Sequence, residues 1–234
     1  MYFCVPKIYT MKKIVSIIIC LTAICWWAEA RTIKGKVSCA GTGISSVIVT
    51  DGKSFATTNE DGSFRFNIDN NAEFVYIITP AGYAADWTTG SPEFYKKAKG
   101  KKFFSFDLLK TGDSKTKYNI IAVGDPQPRS DAHFEEFAGR PLDDLCRTAS
   151  NLEGQTVGIV LGDICYDVLP LQKRWKEEIV RTGIPFYPCV GNHDHDRAFE
   201  DDALSIHAYR SNFGPENYAF FIGNDLMIVL DNII

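Results

Sequence analysis

The run Thr156-Val157-Gly158-Ile159-Val160-Leu161-Gly162-Asp163 decides the fold. Its strand portion, Thr156 to Leu161, is apolar without alternation, which is how a strand covered on both faces reads; a half-exposed strand would alternate. The same arrangement recurs on either side. Tyr118 to Val123 runs into Gly124-Asp125-Pro126-Gln127, and Ile184 to Val190 runs into Gly191-Asn192-His193-Asp194. Helical patterns separate these strands, at Ala132 to Asn151 and Leu169 to Thr182. A short helix over Asp201 to Arg210 and two closing strands, Tyr218 to Ile222 and Asp225 to Leu230 across Gly223-Asn224, complete the pattern. Strands alternating with helices predict an α/β unit over residues 118–234 with a mostly parallel sheet.

In an open α/β sheet, ligands bind outside the carboxyl ends of the strands. Three successive strands therefore bring Asp125, Gln127, Asp163, Asn192 and His193 to one rim. Any one of these loops alone reads as a strand-end turn with a capping Asp or Asn; a Gly-Asp or Gly-Asn step at all three ends points to a site. Carboxylate and amide oxygens are hard donors suited to divalent cations, and one carboxylate can bridge two of them. His195 and Asp196 read as loop residues, and His133 and His207 as surface or packing residues on helices.

Residues 31–110 have a different rhythm. Short β-like runs cover Thr32 to Ser38, Ser46 to Thr50, Ser54 to Thr58, Ser63 to Ile68, Phe74 to Thr79 and Lys102 to Leu109, with turn chemistry at Asp51-Gly52 and Asn59-Glu60-Asp61-Gly62. They predict a small antiparallel β-sandwich. It has no clustered histidines, acids or nucleophiles, which makes it an accessory module. Residues 111–117 (TGDSKTK) read as a linker.

The first thirty residues read as a secretory signal. Lys12 and Lys13 precede the apolar Ile14 to Trp27, and Ala28-Glu29-Ala30 supplies a small-x-small cleavage pattern. The apolar segment is shorter than the roughly 20 residues that span a bilayer, so no transmembrane anchor is expected. Cleavage after Ala30, with Met11 as the natural start, implies a secreted or periplasmic protein. Three of the 25 basic and one of the 29 acidic side chains lie in that segment, which leaves 22 and 28. A mildly acidic chain does not suit a nucleic-acid backbone as partner. The Lys96 to Lys102 cluster reads as a solvated loop. Of the four cysteines after the signal, Cys165 and Cys189 fall near strand ends where a bridge is conceivable, although buried free thiols suit the wide spacing better.

Two resemblances follow from these residues. Gly35-Lys36-Val37, Gly43 to Val49 and Thr57 to Phe64 resemble carboxypeptidase regulatory-like β-sandwiches, which implies an accessory domain. The elements GDPQ, GDICYD and GNHD resemble the calcineurin-like metallophosphoesterase superfamily, whose pattern runs D-x-H, G-D-x-x-[DY], G-N-H-[DE], a lone His and G-H-x-H. That resemblance implies a partial αββα sandwich and hydrolysis of phosphomonoesters or phosphodiesters by a hydroxide activated between two divalent metal ions (Mn, Fe, Zn or Mg). It implies that Asp125 binds one metal and Asp163 bridges both, that Asn192 binds the second, and that His193 acts near the leaving group. Asp194 is expected to orient His193. Gln127 stands where most members have histidine, with an amide oxygen able to coordinate. Tyr166 stands where some members supply a tyrosinate ligand, and Asp167 follows one place after the usual carboxylate. The lone His and G-H-x-H do not occur in these 234 residues, so the phosphoesterase domain is expected to be truncated at its C-terminus and weakly active as it stands. The alternative is a non-catalytic exported binding protein with a vestigial half-site.

Overall fold

The computed structural model describes residues 30–111 and 116–233. The expected signal segment up to residue 29 and residues 112–115 of the expected linker lie outside the described residues. No described helix is long and apolar enough to cross a membrane.

The N-terminal part contains β1 (Ala30–Cys39), β2 (Thr42–Gly43), β3 (Ile48–Thr50), β4 (Phe55–Thr57), β5 (Ser63–Asp69), β6 (Phe74–Ile77), β7 (Tyr83–Ala84), β8 (Tyr95–Lys97), β9 (Phe103–Asp107) and β10 (Leu109–Lys110). One sheet is built on β1, which pairs antiparallel with β2 and β5 and parallel with β9. The other has the order β4-β3-β6-β8. Alternation places Ile33, Val37, Phe64, Ile68, Phe104 and Phe106 in the core between the sheets, while Lys34 and Arg65 face out. Two features depart from the expected antiparallel sandwich with a solvated lysine loop. The β1–β9 pair is parallel, and β8 forms inside the lysine-rich stretch, where Lys96 and Lys97 pair with Val75 and Phe74.

The second part continues with β11 (Tyr118–Val123), α1 (Asp131–Gly139), α2 (Pro141–Asn151), β12 (Gln155–Val160), α3 (Pro170–Ile179), β13 (Phe186–Pro188), α4 (Asp202–Ser205), α5 (His207–Phe213), β14 (Tyr218–Ile222) and β15 (Asp225–Val229). Strands β11, β12 and β13 form a parallel sheet with β12 in the middle, and β14 and β15 form an antiparallel hairpin. The single helix expected over Ala132 to Asn151 is two helices. Pro141 begins α2 at its first turn, where its missing N–H costs nothing, and the chain kinks at Arg140. The expected burial of both sheet faces holds for β12 but not for β11, where Ile120 is exposed.

The two parts share a core. Val157, Tyr187, Tyr218, Phe220, Ile222 and Val229 belong to the same buried cluster as the sandwich residues. Phe94 lies 4.7 Å from the Tyr218 ring, and the Tyr76 hydroxyl donates to the Asn217 carbonyl at 3.2 Å. A second core, around Phe134, Trp175, Phe186, Tyr209 and Phe213, packs the helices on the opposite face. Cys39, Cys146, Cys165 and Cys189 are all free thiols.

Candidate active site

The three parallel strands end level with one another. Val123 is the register partner of Val160, which in turn partners Pro188, so their loops leave the sheet side by side. Two glycines let adjacent loops touch. An added Cβ on Gly191 would overlap the Asp163 backbone nitrogen and carboxylate, and one on Gly162 would come within 2.9 Å of the Gly191 Cα. Gly162 also has a φ of 93°, a conformation few other residues adopt without strain.

Asp163 is the hub of the rim. It is buried, with one carboxylate oxygen accepting the His193 backbone N–H at 3.0 Å and the other accepting the Gln127 amide Nε2 at 2.6 Å. The Gln127 backbone N–H also donates to the Asp163 carbonyl at 3.1 Å. Asp125 and Asn192 are exposed on the adjoining loops. Asp125, Gln127, Asp163 and Asp167 all have positive φ, between 41° and 57°. Among the described residues only Ala40 and Ser46 share that property without being glycine. Such strain persists only where the surroundings enforce it, and it concentrates at functional sites.

His193 is fixed on two sides. Its Nδ1 lies 2.9 Å from an Asp167 carboxylate oxygen, and its ring stacks on Tyr166 with centroids 3.9 Å apart. Arg197 sits 3.0 Å from the same Asp167 oxygen. The Arg129 guanidinium lies 4.0 Å from the centre of the Tyr166 ring. Tyr166, expected as a possible ligand, thus spends its ring as a stacking platform.

Asp194 does not orient His193, contrary to the expectation from sequence. Its carboxylate is fully buried and turns the other way, accepting N–H bonds from Ile164 at 3.1 Å, Gly191 at 3.0 Å, Gln172 Nε2 at 3.2 Å and Cys165 at 3.4 Å. It ties the second loop to the third. Burial pushes its carboxyl up to about 6 despite those donors, and burial, reinforced by the Asp194 charge, raises the Cys165 thiol to about 12. The residue that holds the His193 ring is Asp167, which sequence alone marked only as one place out of register. His195 is fastened to α4, with Nδ1 2.7 Å from the Ser205 hydroxyl and 3.4 Å from Asp202. His133 is exposed on α1 and His207 on α5, neither in the rim.

The donor chemistry of the rim fits divalent cations, since the carboxylates of Asp125 and Asp163 and the amide oxygens of Gln127 and Asn192 are all hard oxygens. Two carboxylates balance the charge of one such cation; a second would need donors beyond this set. Among the described residues no group of three or more His, Cys, Asp or Glu is placed to hold a metal ion.

Comparison with protein families gives the sandwich a relationship. Residues 31–111 match the family described as the N terminal of calcineurin-like phosphoesterase. Over those residues the sandwich is similar to the N-terminal region of calcineurin-like phosphoesterases. That phosphoesterase region is what the match shows; a carboxypeptidase regulatory-like domain is not. The matched sandwich shares its core with the sheet that carries the rim. No curated protein matches the chain.

Proposed function

We propose that the chain is an exported, metal-dependent phosphoesterase whose site is the rim of Asp125, Gln127, Asp163, Asn192 and His193, with residues 1–30 as its secretory signal. The observation that carries the reading is the level ending of β11, β12 and β13, whose loops meet at the buried carboxylate of Asp163 through Gln127 and the His193 backbone. The family of the sandwich supports it independently.

Asp125, Gln127, Asp163 and Asn192 would hold the cation, and Tyr166 is free to act as a stacking residue. When bound, divalent metal supplies an activated hydroxide and neutralises the charge on the phosphoryl oxygens. The remaining work belongs to the chain. His193 would act through Nε2, since Nδ1 is held against Asp167; with Nδ1–H donated to that carboxylate, the imidazolium form is the one that would pass an Nε2 proton to the departing oxygen. The His193 backbone N–H fixes the orientation of the Asp163 carboxylate. Asp194 keeps the second and third loops at a constant distance through its buried N–H bonds.

A second reading, an exported binding protein with a vestigial rim, is favoured by the Asp163 carboxylate spending one oxygen on the Gln127 amide and the other on the His193 N–H. Titration with Mn²⁺, followed by electron paramagnetic resonance, separates the two. The phosphoesterase reading expects saturable binding that is lost in Asp163→Ala and kept in Tyr166→Phe; no saturable binding by the wild type sinks it and leaves the binding protein.

A further inference from the structure

A cleft of about 480 Å³ opens beside Gln127, between the first rim loop and the start of α2. Its lining includes His133, Phe137 and Arg140, with Glu136 the one carboxylate among them. Arg140 is exposed and makes no ion pair among the described residues. Arg129 is similarly unpaired, its guanidinium held over Tyr166. Other arginines of this region are engaged: Arg147 with Asp144, Arg174 with Asp131 and Glu135, Arg181 with Asp143 and Glu178, and Arg197 with Asp167. In an acidic chain, the two guanidinium groups left without carboxylates flank the same loop.

The tyrosine ring fixes where one of these cations stands. His193 and Arg129 both lie about 4 Å from the centre of Tyr166, and two groups stacked that closely must occupy opposite faces. The guanidinium is therefore separated from the imidazole by about twice that distance. A group held by His193 at the bond being broken leaves room for an anion several bonds further along the leaving group.

We propose that the substrate is a phosphate ester whose leaving group bears a second anionic group, received at the mouth of the cleft beside Gln127, with Arg140 of the cleft's lining and Arg129 on the adjoining loop as its cations. The position of the scissile group rests on the phosphoesterase reading. A guanidinium suits this task because it presents planar paired N–H donors to a phosphate or carboxylate and stays charged at every working pH.

The probes are butane-1,4-diyl bisphosphate and butyl phosphate, which differ by the second anion alone. Calorimetry in metal-free buffer expects the bisphosphate to bind the wild-type protein roughly tenfold more tightly than the monophosphate. That preference should fall to roughly twofold or less in the Arg129→Ala/Arg140→Ala double variant and return in part in the corresponding double lysine variant. Equal or undetectable binding of both probes, or a preference unchanged in the double alanine variant, overturns the assignment. Both arginines are exposed, so folding is checked simply by the melting temperature. Hydrolysis with Mn²⁺ is measured alongside. A calorimetric preference without hydrolysis of either ester upholds the cleft and refutes the phosphoesterase reading; hydrolysis of both without preference in either assay does the reverse.

Discussion

Asp194 is the sharpest place to test the loop architecture, because two large effects oppose each other there. Replacing it by alanine strips four N–H donors of their acceptor: Ile164, Gly191, Cys165 and the Gln172 amide. A buried donor left unpaired costs about 1–3 kcal/mol, so the four together cost about 4 kcal/mol even at the low end. Removing a carboxylate whose ionisation is disfavoured by burial gives some of this back. The rise from 3.8 to about 6 corresponds to about 3 kcal/mol at neutral pH. Alanine should therefore lose a net ~1–9 kcal/mol, with ~5 kcal/mol the central value. Asparagine keeps one oxygen for half the donors and sheds the charge, so its loss should stay under about 1 kcal/mol. Urea unfolding of the wild type, Asp194→Ala and Asp194→Asn at pH 7.5 measures all three. Asparagine as damaging as alanine, or alanine within about 0.5 kcal/mol of the wild type, would refute the claim that this carboxylate holds the loops by accepting their N–H groups.

Three further outcomes follow from the same structure. Gly191→Ala forces a methyl into the Asp163 backbone and carboxylate, so Mn²⁺ binding should vanish with a stability loss of about 2–4 kcal/mol; retained binding would show that the loops part easily. Asp167→Ala removes the group holding His193 Nδ1 and should lower kcat roughly tenfold at constant KM, whereas an unchanged kcat would dismiss the contact as incidental. Glu216 is bonded to Arg210 at 2.7 and 2.8 Å, and that contact, opposed by burial, holds its carboxyl below the usual range. A depressed carboxyl contributes stability that is present above its unfolded value and lost as pH falls through the folded one. The stability gap between wild type and Glu216→Gln should therefore be about 1–2 kcal/mol at pH 7 and shrink below pH 4, a trend that unfolding curves at pH 3 and pH 7 can reverse.

What the sequence revealed of this fold depended on the length scale of the signal. Continuous apolar strands ending in Gly-Asp or Gly-Asn placed Asp125, Asp163 and Asn192 on one rim, because strand direction and loop position are local properties. The β-sandwich was legible for the same reason, from alternation such as Phe64 to Ile68. The partners of Asp194 were not legible. They are backbone N–H groups of Ile164 and Gly191, and which loop a buried carboxylate faces depends on a turn conformation that no spacing encodes. The stack of Arg129, Tyr166 and His193 likewise joins three loops. Pro141 carried a readable signal, since a proline rarely lies inside a helix, yet the apolar pattern on either side ran through it. The lysines at 96 and 97 masked β8, whose place as the neighbour of β6 comes from pairing rather than composition. The common core of sandwich and α/β sheet was equally hidden, because Tyr187, Phe220 and Phe94 show which faces are apolar but not that those faces meet.

The central claim is that the rim hydrolyses phosphate esters with metal held at Asp163. Cleavage of bis(p-nitrophenyl) phosphate in the presence of Mn²⁺, by the wild type, Asp163→Ala and His193→Ala, tests it directly. The account predicts Mn²⁺-stimulated turnover by the wild type and a loss of at least about a hundredfold in each variant. Turnover that both variants retain, or that Mn²⁺ leaves unchanged, would contradict it.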